Sequence, residues 1–216
     1  MLAVSFIFIT YLALCFFYSG TGKNKQVLVI SFLWITVVSL ISVTGYFEDT
    51  TARPPRFLLV IIPGIGLSFW FYKKLKTTHL KQEFLLAVHL LRLPVELVLY
   101  QLFLNKQIPV LMTFRGWNFD ILMGITAIFL LLYLIITRKN PARPFFIVWN
   151  IAGIFLLTTI VLIAILSSPL PIQLIGFDQP NIALLKFPFA LLPAYIVPIV
   201  FLSHVLTLRN LLEKTD

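Results

Sequence analysis

A chain of 216 residues that is 60% hydrophobic and 12% charged, with a mean hydropathy of +0.99, has too little polar surface to clothe a soluble globule, for which about 25% charged residues is usual. The net charge of +9 would suit nucleic acid in a soluble protein. Here the Lys and Arg residues fall in short stretches between apolar runs, where membrane topology accounts for them, and nucleic-acid binding is set aside.

The composition points to an all-α, polytopic membrane protein. Spans are read where about 17 to 25 mainly apolar residues run together, enough to cross about 30 Å of hydrocarbon at 1.5 Å per residue. Seven such runs occur, roughly 2–19, 26–46, 57–72, 84–104, 119–137, 145–167 and 187–208. They predict a single domain over residues 1–216, a seven-transmembrane-helix bundle.

The first run contains the only cysteine, Cys15, so neither an intrachain disulfide nor a cysteine metal site is expected. Leu14 is too bulky for the position before a lipidated Cys, and no Lys or Arg precedes Lys23 to form a signal-peptide n-region. The first run is therefore expected to remain as a helix.

Orientation follows from the basic residues of alternate loops. The first, third and fifth loops and the C-terminal tail hold Lys23, Lys25, Lys73, Lys74, Lys76, Lys81, Arg138, Lys139, Arg143, Arg209 and Lys214. The opposite side holds only Arg53, Arg56, Lys106, Arg115 and Lys186. The positive-inside rule then places the N-terminus outside and the C-terminus in the cytoplasm, and the Phe-, Ile- and Lys-rich composition makes a bacterial plasma membrane the expected location. Trp70, Tyr72, Tyr100, Trp117 and Trp149 near span ends fit the interfacial preference of amphipathic rings.

In the third span, Gly64 and Gly66 mark an expected close-packing spot. At an offset of 130 positions Phe57, Pro63 and Phe71 align with Phe187, Pro193 and Phe201 of the seventh. That similarity would fit the parallel repeats of some small transporters, but spans one and two do not match spans five and six.

The fourth span is the unusual one. His89, Arg92 and Glu96, at i, i+3 and i+7, lie within about 60° on one helix face, and Tyr100 extends the stripe. An ionised group near the bilayer centre costs at least about 2.5 to 3.5 kcal/mol and normally faces the bundle interior with a partner. Arg92 and Glu96, one turn apart, are expected to pair with each other. Pro94 deprives the Leu90 carbonyl of its donor, which predicts a kink. Asn150 and His204 fall at a depth comparable with His89, on the cytoplasmic side, and complete the expected ligand-binding set. Two histidines at one level could ligate a haem, but hydrogen bonding is the commoner role, so no cofactor and no metal are expected. His79, in a Lys-rich loop, is expected to be solvated.

Before the fifth span, Arg115, Trp117, Asn118 and Asp120 crowd into six residues and form a second candidate, the rim of an outward-facing site. Asn118 or Asp120 is also expected to cap the following helix. Retinal chemistry is excluded because the last span lacks Lys, and no GxSxG, HExxH, CxxC or phosphate-cradling glycine loop occurs.

These residues suggest binding or transport of a small polar or anionic molecule, with Arg92 meeting the ligand and His89 and Glu96 setting charge and protonation. The alternatives are an intramembrane enzyme acting on a lipid or isoprenoid, with His89, Glu96 or His204 as acid or base, and a structural subunit whose polar stripe meets a protein partner. The lipid bilayer is the one partner the composition itself implies.

Overall fold

The computed structural model describes residues 1–213, so Lys214 of the expected cytoplasmic tail lies outside the described residues. Those residues form helices and turns with no strand. The helices are α1 (Leu2–Gly20), α2 (Lys25–Val43), α3 (Leu58–Lys74), α4 (Gln82–Leu90), α5 (Arg92–Leu104), α6 (Asp120–Thr137), α7 (Arg143–Leu166) and α8 (Val197–Glu213). With α4 and α5 taken as one interrupted element, six helices are long and apolar enough to cross a membrane. The remaining one, α3, has 17 residues, about 26 Å of helix.

Local chemistry sets the boundaries. Gly22 and Lys23 turn the chain with positive φ, and Asn24 starts α2 by accepting from the N–H groups of Gln26 and Val27. The second expected span runs too long, since α2 ends at Val43 and Gly45, at φ +73°, diverts the chain before Tyr46. The seventh is shifted: residues 187–190 lie in turns, a π-helical stretch covers Leu192–Ile196, and the helix continues to Glu213. Prolines explain the irregular entry. Pro198 has no N–H for the Ala194 carbonyl, which instead accepts from Trp34 Nε1 at 2.8 Å.

The interrupted α4–α5 and the last helix are the most buried, while α1, α2, α6 and α7 surround them. The outer helices turn apolar residues outward, among them Phe32, Leu40, Phe129, Ile136 and Phe155. A continuous apolar exterior of this kind suits hydrocarbon and would be a liability in water.

Two sets of turns gather at opposite ends. At one end Lys81 N–H donates to Gly20 O at 2.9 Å, Thr77 Oγ1 to Glu213 at 2.5 Å, and Arg209 to Tyr72 O at 2.7 Å. At the other, Lys186 meets Glu48 at 3.7 Å, and Gln107 O accepts from Ile182 N–H at 3.0 Å. Helix α3 runs from the second end to the first.

The glycine expectation holds for one position of two. A Cβ on Gly64 would stand 3.1 Å from the Ala194 carbonyl oxygen, whereas nothing lies within 4 Å of one on Gly66.

Candidate functional site

The interruption between α4 and α5 sits at Leu91, whose N–H reaches back only to Val88 O, at 3.3 Å. Pro94, four residues beyond Leu90, removes the next α-helical donor. The expected kink is therefore a change of helix between His89, at the end of α4, and Arg92, at the start of α5.

Arg92 is 4% exposed and does not pair with Glu96, correcting the expectation drawn from their spacing. Its Nη1 meets Asp120 Oδ1 at 3.2 Å, and its Nη2 donates to Gly153 O at 3.3 Å and to His204 Nε2 at 3.1 Å. A guanidinium cannot accept, so Nε2 of His204 is the acceptor. His204 Nδ1–H then donates to Asn150 Oδ1 at 2.8 Å, and Asn150 Nδ2 donates to Phe146 O at 2.7 Å. One chain of assigned roles thus joins α5, α6, α7 and α8.

Glu96, 2% exposed, turns toward the segment before α6, where Asn118 Nδ2 donates to its Oε1 and, at 3.1 Å, to Met112 O. The Asn118 Oδ1 accepts from Asp120 N–H at 3.1 Å. Of the two expected caps, Asn118 does the capping and Asp120 is spent on Arg92. The expected outer-loop cluster consequently divides. Arg115 and Trp117 are exposed, with Arg115 Nη1 3.4 Å from the Tyr100 hydroxyl, while Asn118 and Asp120 are interior. The same loop fold separates the rim residues from the core ones, because the turn at Val110–Met112 brings the Met112 carbonyl oxygen onto Asn118.

His89 completes the group. Its ring stacks on His204 with centroids 3.9 Å apart and meets the Trp149 ring edge-on at 5.3 Å. Imidazoles in such contact leave no space for a porphyrin between them. His79 is exposed in its turn. The structure therefore brings His89, Arg92, Glu96, Asn150, His204, Asn118 and Asp120 into one interior network and leaves Arg115 and Trp117 outside it.

Two members escaped sequence reasoning. Gly153 contributes a carbonyl, and a Cβ there would collide with the His204 imidazole. Its place three residues beyond Asn150, on the same face, was the available signal. Gly124 lets α6 approach α5, since a Cβ there would meet Leu93 Cγ at 2.8 Å.

The balance of charge and hydrogen bonds is uneven. Two carboxylates, Asp120 and Glu96, face one guanidinium, and Glu96 Oε2, His89 Nδ1 and Arg92 Nε are buried without a hydrogen-bond partner. An unpaired buried polar group costs about 1 to 3 kcal/mol, so Glu96, His89 and the Nε–H of Arg92 are the groups with capacity to spare. Among the described residues, no group of three or more His, Cys, Asp or Glu is arranged to hold a metal ion.

Comparison with curated proteins and with solved structures finds no match for this chain. A family model described as a domain of unknown function, DUF8737, matches residues 57–212, from the start of α3 into α8, and spans every member of the network. The chain belongs to the DUF8737 family.

Proposed function

We propose that the chain is a multi-pass membrane protein with seven spans, N-terminus outside, that binds or moves a small polar solute through the central network with proton exchange at Glu96 and His89. The observation behind this reading is the uneven network. Both ring nitrogens of His204 and both polar atoms of the Asn150 amide have a partner, yet Glu96, His89 and Arg92 each keep a buried atom unpaired. Two carboxylates against one guanidinium need one more positive charge to balance, and an unbalanced charge in hydrocarbon costs at least about 2.5 to 3.5 kcal/mol. A proton, or a ligand that donates hydrogen bonds, supplies it. Arg92 is already held by Asp120, so of the polar or anionic ligands expected from the sequence a polar donor, or a cation, is favoured over an anion.

Seven crossings are supported by the two sets of turns at opposite ends, with α3 running between them like its longer neighbours. The orientation rests on the basic residues of the odd loops, and the bacterial plasma membrane on composition alone. The test is flux. Proteoliposomes loaded with a pH-sensitive dye should acidify or alkalinise under an imposed proton or solute gradient, and a protein that moves nothing under either gradient overturns the proposal.

A second reading is favoured by the same ties between α5, α6, α7 and α8: the network as a lock that fixes helix packing for a structural subunit. A Glu96→Gln variant separates them. A lock shows no flux in the parent protein and loses stability in the variant, whereas a site shows flux in the parent and loses it while the variant remains folded.

A further inference from the structure

Away from the central network, a cavity of about 390 Å³ opens at the end of the bundle that gathers the odd loops. The first turn of α4, the last turn of α6 with the bend that follows it, and the last turns of α8 form its walls. Three cations line it: Lys81, Arg138 and Lys139. Among the described residues none of them has an ion-pair partner, and one carboxylate, Glu83, lines the same space.

Two further features point at a ligand. Helix α4 begins at Gln82 with no side-chain cap; the N–H groups of Phe84 and Leu85 return to Lys81 O, while those of Gln82 and Glu83, at the cavity end of the helix, have no acceptor among the described residues. More tellingly, Asn210 of α8 lines the cavity at 8% exposure, and its amide has no hydrogen-bond partner among the described residues. The rest of the side chain is enclosed, so the carboxamide is fixed in place and can donate and accept only into the cavity. Basic residues alone would be explained by topology and by the C-terminal dipole of α6. Neither accounts for an enclosed carboxamide that opens into the cavity among them with no protein partner among the described residues.

We infer that this cavity binds a phosphate group, with Lys81, Arg138 and Lys139 supplying charge and Asn210 and the α4 N-terminus supplying directed N–H donors. The lining suits the phosphate of an anionic phospholipid, because the apolar side chains of Leu80, Leu134 and Leu211 line the cavity beside its cations. Free phosphate shares that chemistry. The inference is independent of the proton-exchange reading, because no residue of the central network lines this cavity.

The experiment compares thermal unfolding of the full chain in nanodiscs of phosphatidylcholine alone and of equimolar phosphatidylcholine and phosphatidylglycerol. A parallel titration with inorganic phosphate is run in detergent at constant ionic strength. Stabilisation by phosphatidylglycerol only assigns the site to a lipid headgroup, and saturable stabilisation by inorganic phosphate assigns it to the free ion. No stabilisation by either overturns the inference. At about fivefold for each basic residue near an anionic surface, R138Q/K139Q should weaken the effect at least about tenfold. K73Q/K74Q removes the same charge from the end of α3 and should leave it unchanged. Equal losses in the two pairs would mean diffuse surface attraction and would also overturn the site. Asn210→Leu keeps every charge and should still weaken the effect severalfold. If it fails to fold, Asn210→Ser, smaller and still polar, should show the same loss, and undiminished stabilisation in the folded variant refutes the role of the amide.

Discussion

The pairing of Arg92 with Asp120 rather than Glu96 is open to a direct energetic test. Arg92 and Asp120 are both almost fully buried and 3.2 Å apart, while no Arg92–Glu96 ion pair forms within 4 Å. Asp120→Asn keeps the shape of the side chain and the first turn of α6 but strips the guanidinium of its counter-charge. Breaking a buried pair from one side costs about 3 to 5 kcal/mol in soluble proteins. Polar interactions between membrane helices average only about 0.6 kcal/mol, with a maximum near 1.7. The full ion pair should lie above that second figure, because it joins two opposite charges rather than two neutral polar groups. For a chain of this length about 3 to 5 kcal/mol corresponds to a loss of roughly 6 to 20 °C in Tm. The assay is a pair of double-mutant cycles by thermal unfolding in detergent, Arg92→Met with Asp120→Asn and Arg92→Met with Glu96→Gln. The first cycle should return a coupling energy of about 2 kcal/mol or more and the second less than about 1 kcal/mol. A larger coupling in the Glu96 cycle would refute the assignment, and equal melting of all variants would mean the groups are hydrated.

Further expectations follow from close contacts and from topology. Gly153→Ala places a methyl group on the His204 imidazole and should cost about 1 to 3 kcal/mol, read as a lower Tm, with the Trp149 fluorescence altered through its ring contact with the displaced His204. Gly64→Ala should destabilise through the Ala194 carbonyl, whereas Gly66→Ala, with open space around its Cβ, should be neutral or gain about 0.5 to 1 kcal/mol. A reporter active only in the cytoplasm should work when inserted at Asn140 and stay silent at Thr50; the reverse pattern would overturn the orientation.

Much of the scaffold was legible in the sequence because a bilayer imposes a length and an apolar composition on every crossing. The stripe of His89, Arg92 and Glu96 was legible for a similar reason, being a matter of 3.6-residue periodicity. Its partners were not. Asp120 and Gly153 come from other helices, and pairing across 28 and 61 positions of chain leaves no local pattern. The break at Leu91 also divides the stripe, so that Arg92 joins α6, α7 and α8 while Glu96 turns to Asn118. The outer-loop residues misled because exposure cannot be read from their polarity. Asn118 and Asp120 are as polar as Arg115, yet a fold-back at Val110–Met112 buries the first pair and leaves the last in the open. The entry to the last helix failed for want of a rule for three prolines in eleven residues, Pro188, Pro193 and Pro198, which yield turns and a π-helical stretch before the regular helix.

The claim that Glu96 exchanges a proton within this network is tested most directly by infrared difference spectroscopy of the reconstituted protein between neutral and alkaline pH. A protonated-carboxyl band should appear and vanish with pH, be lost in Glu96→Gln, and survive in Glu83→Gln. A difference spectrum in which no carboxyl band depends on Glu96 would contradict the account.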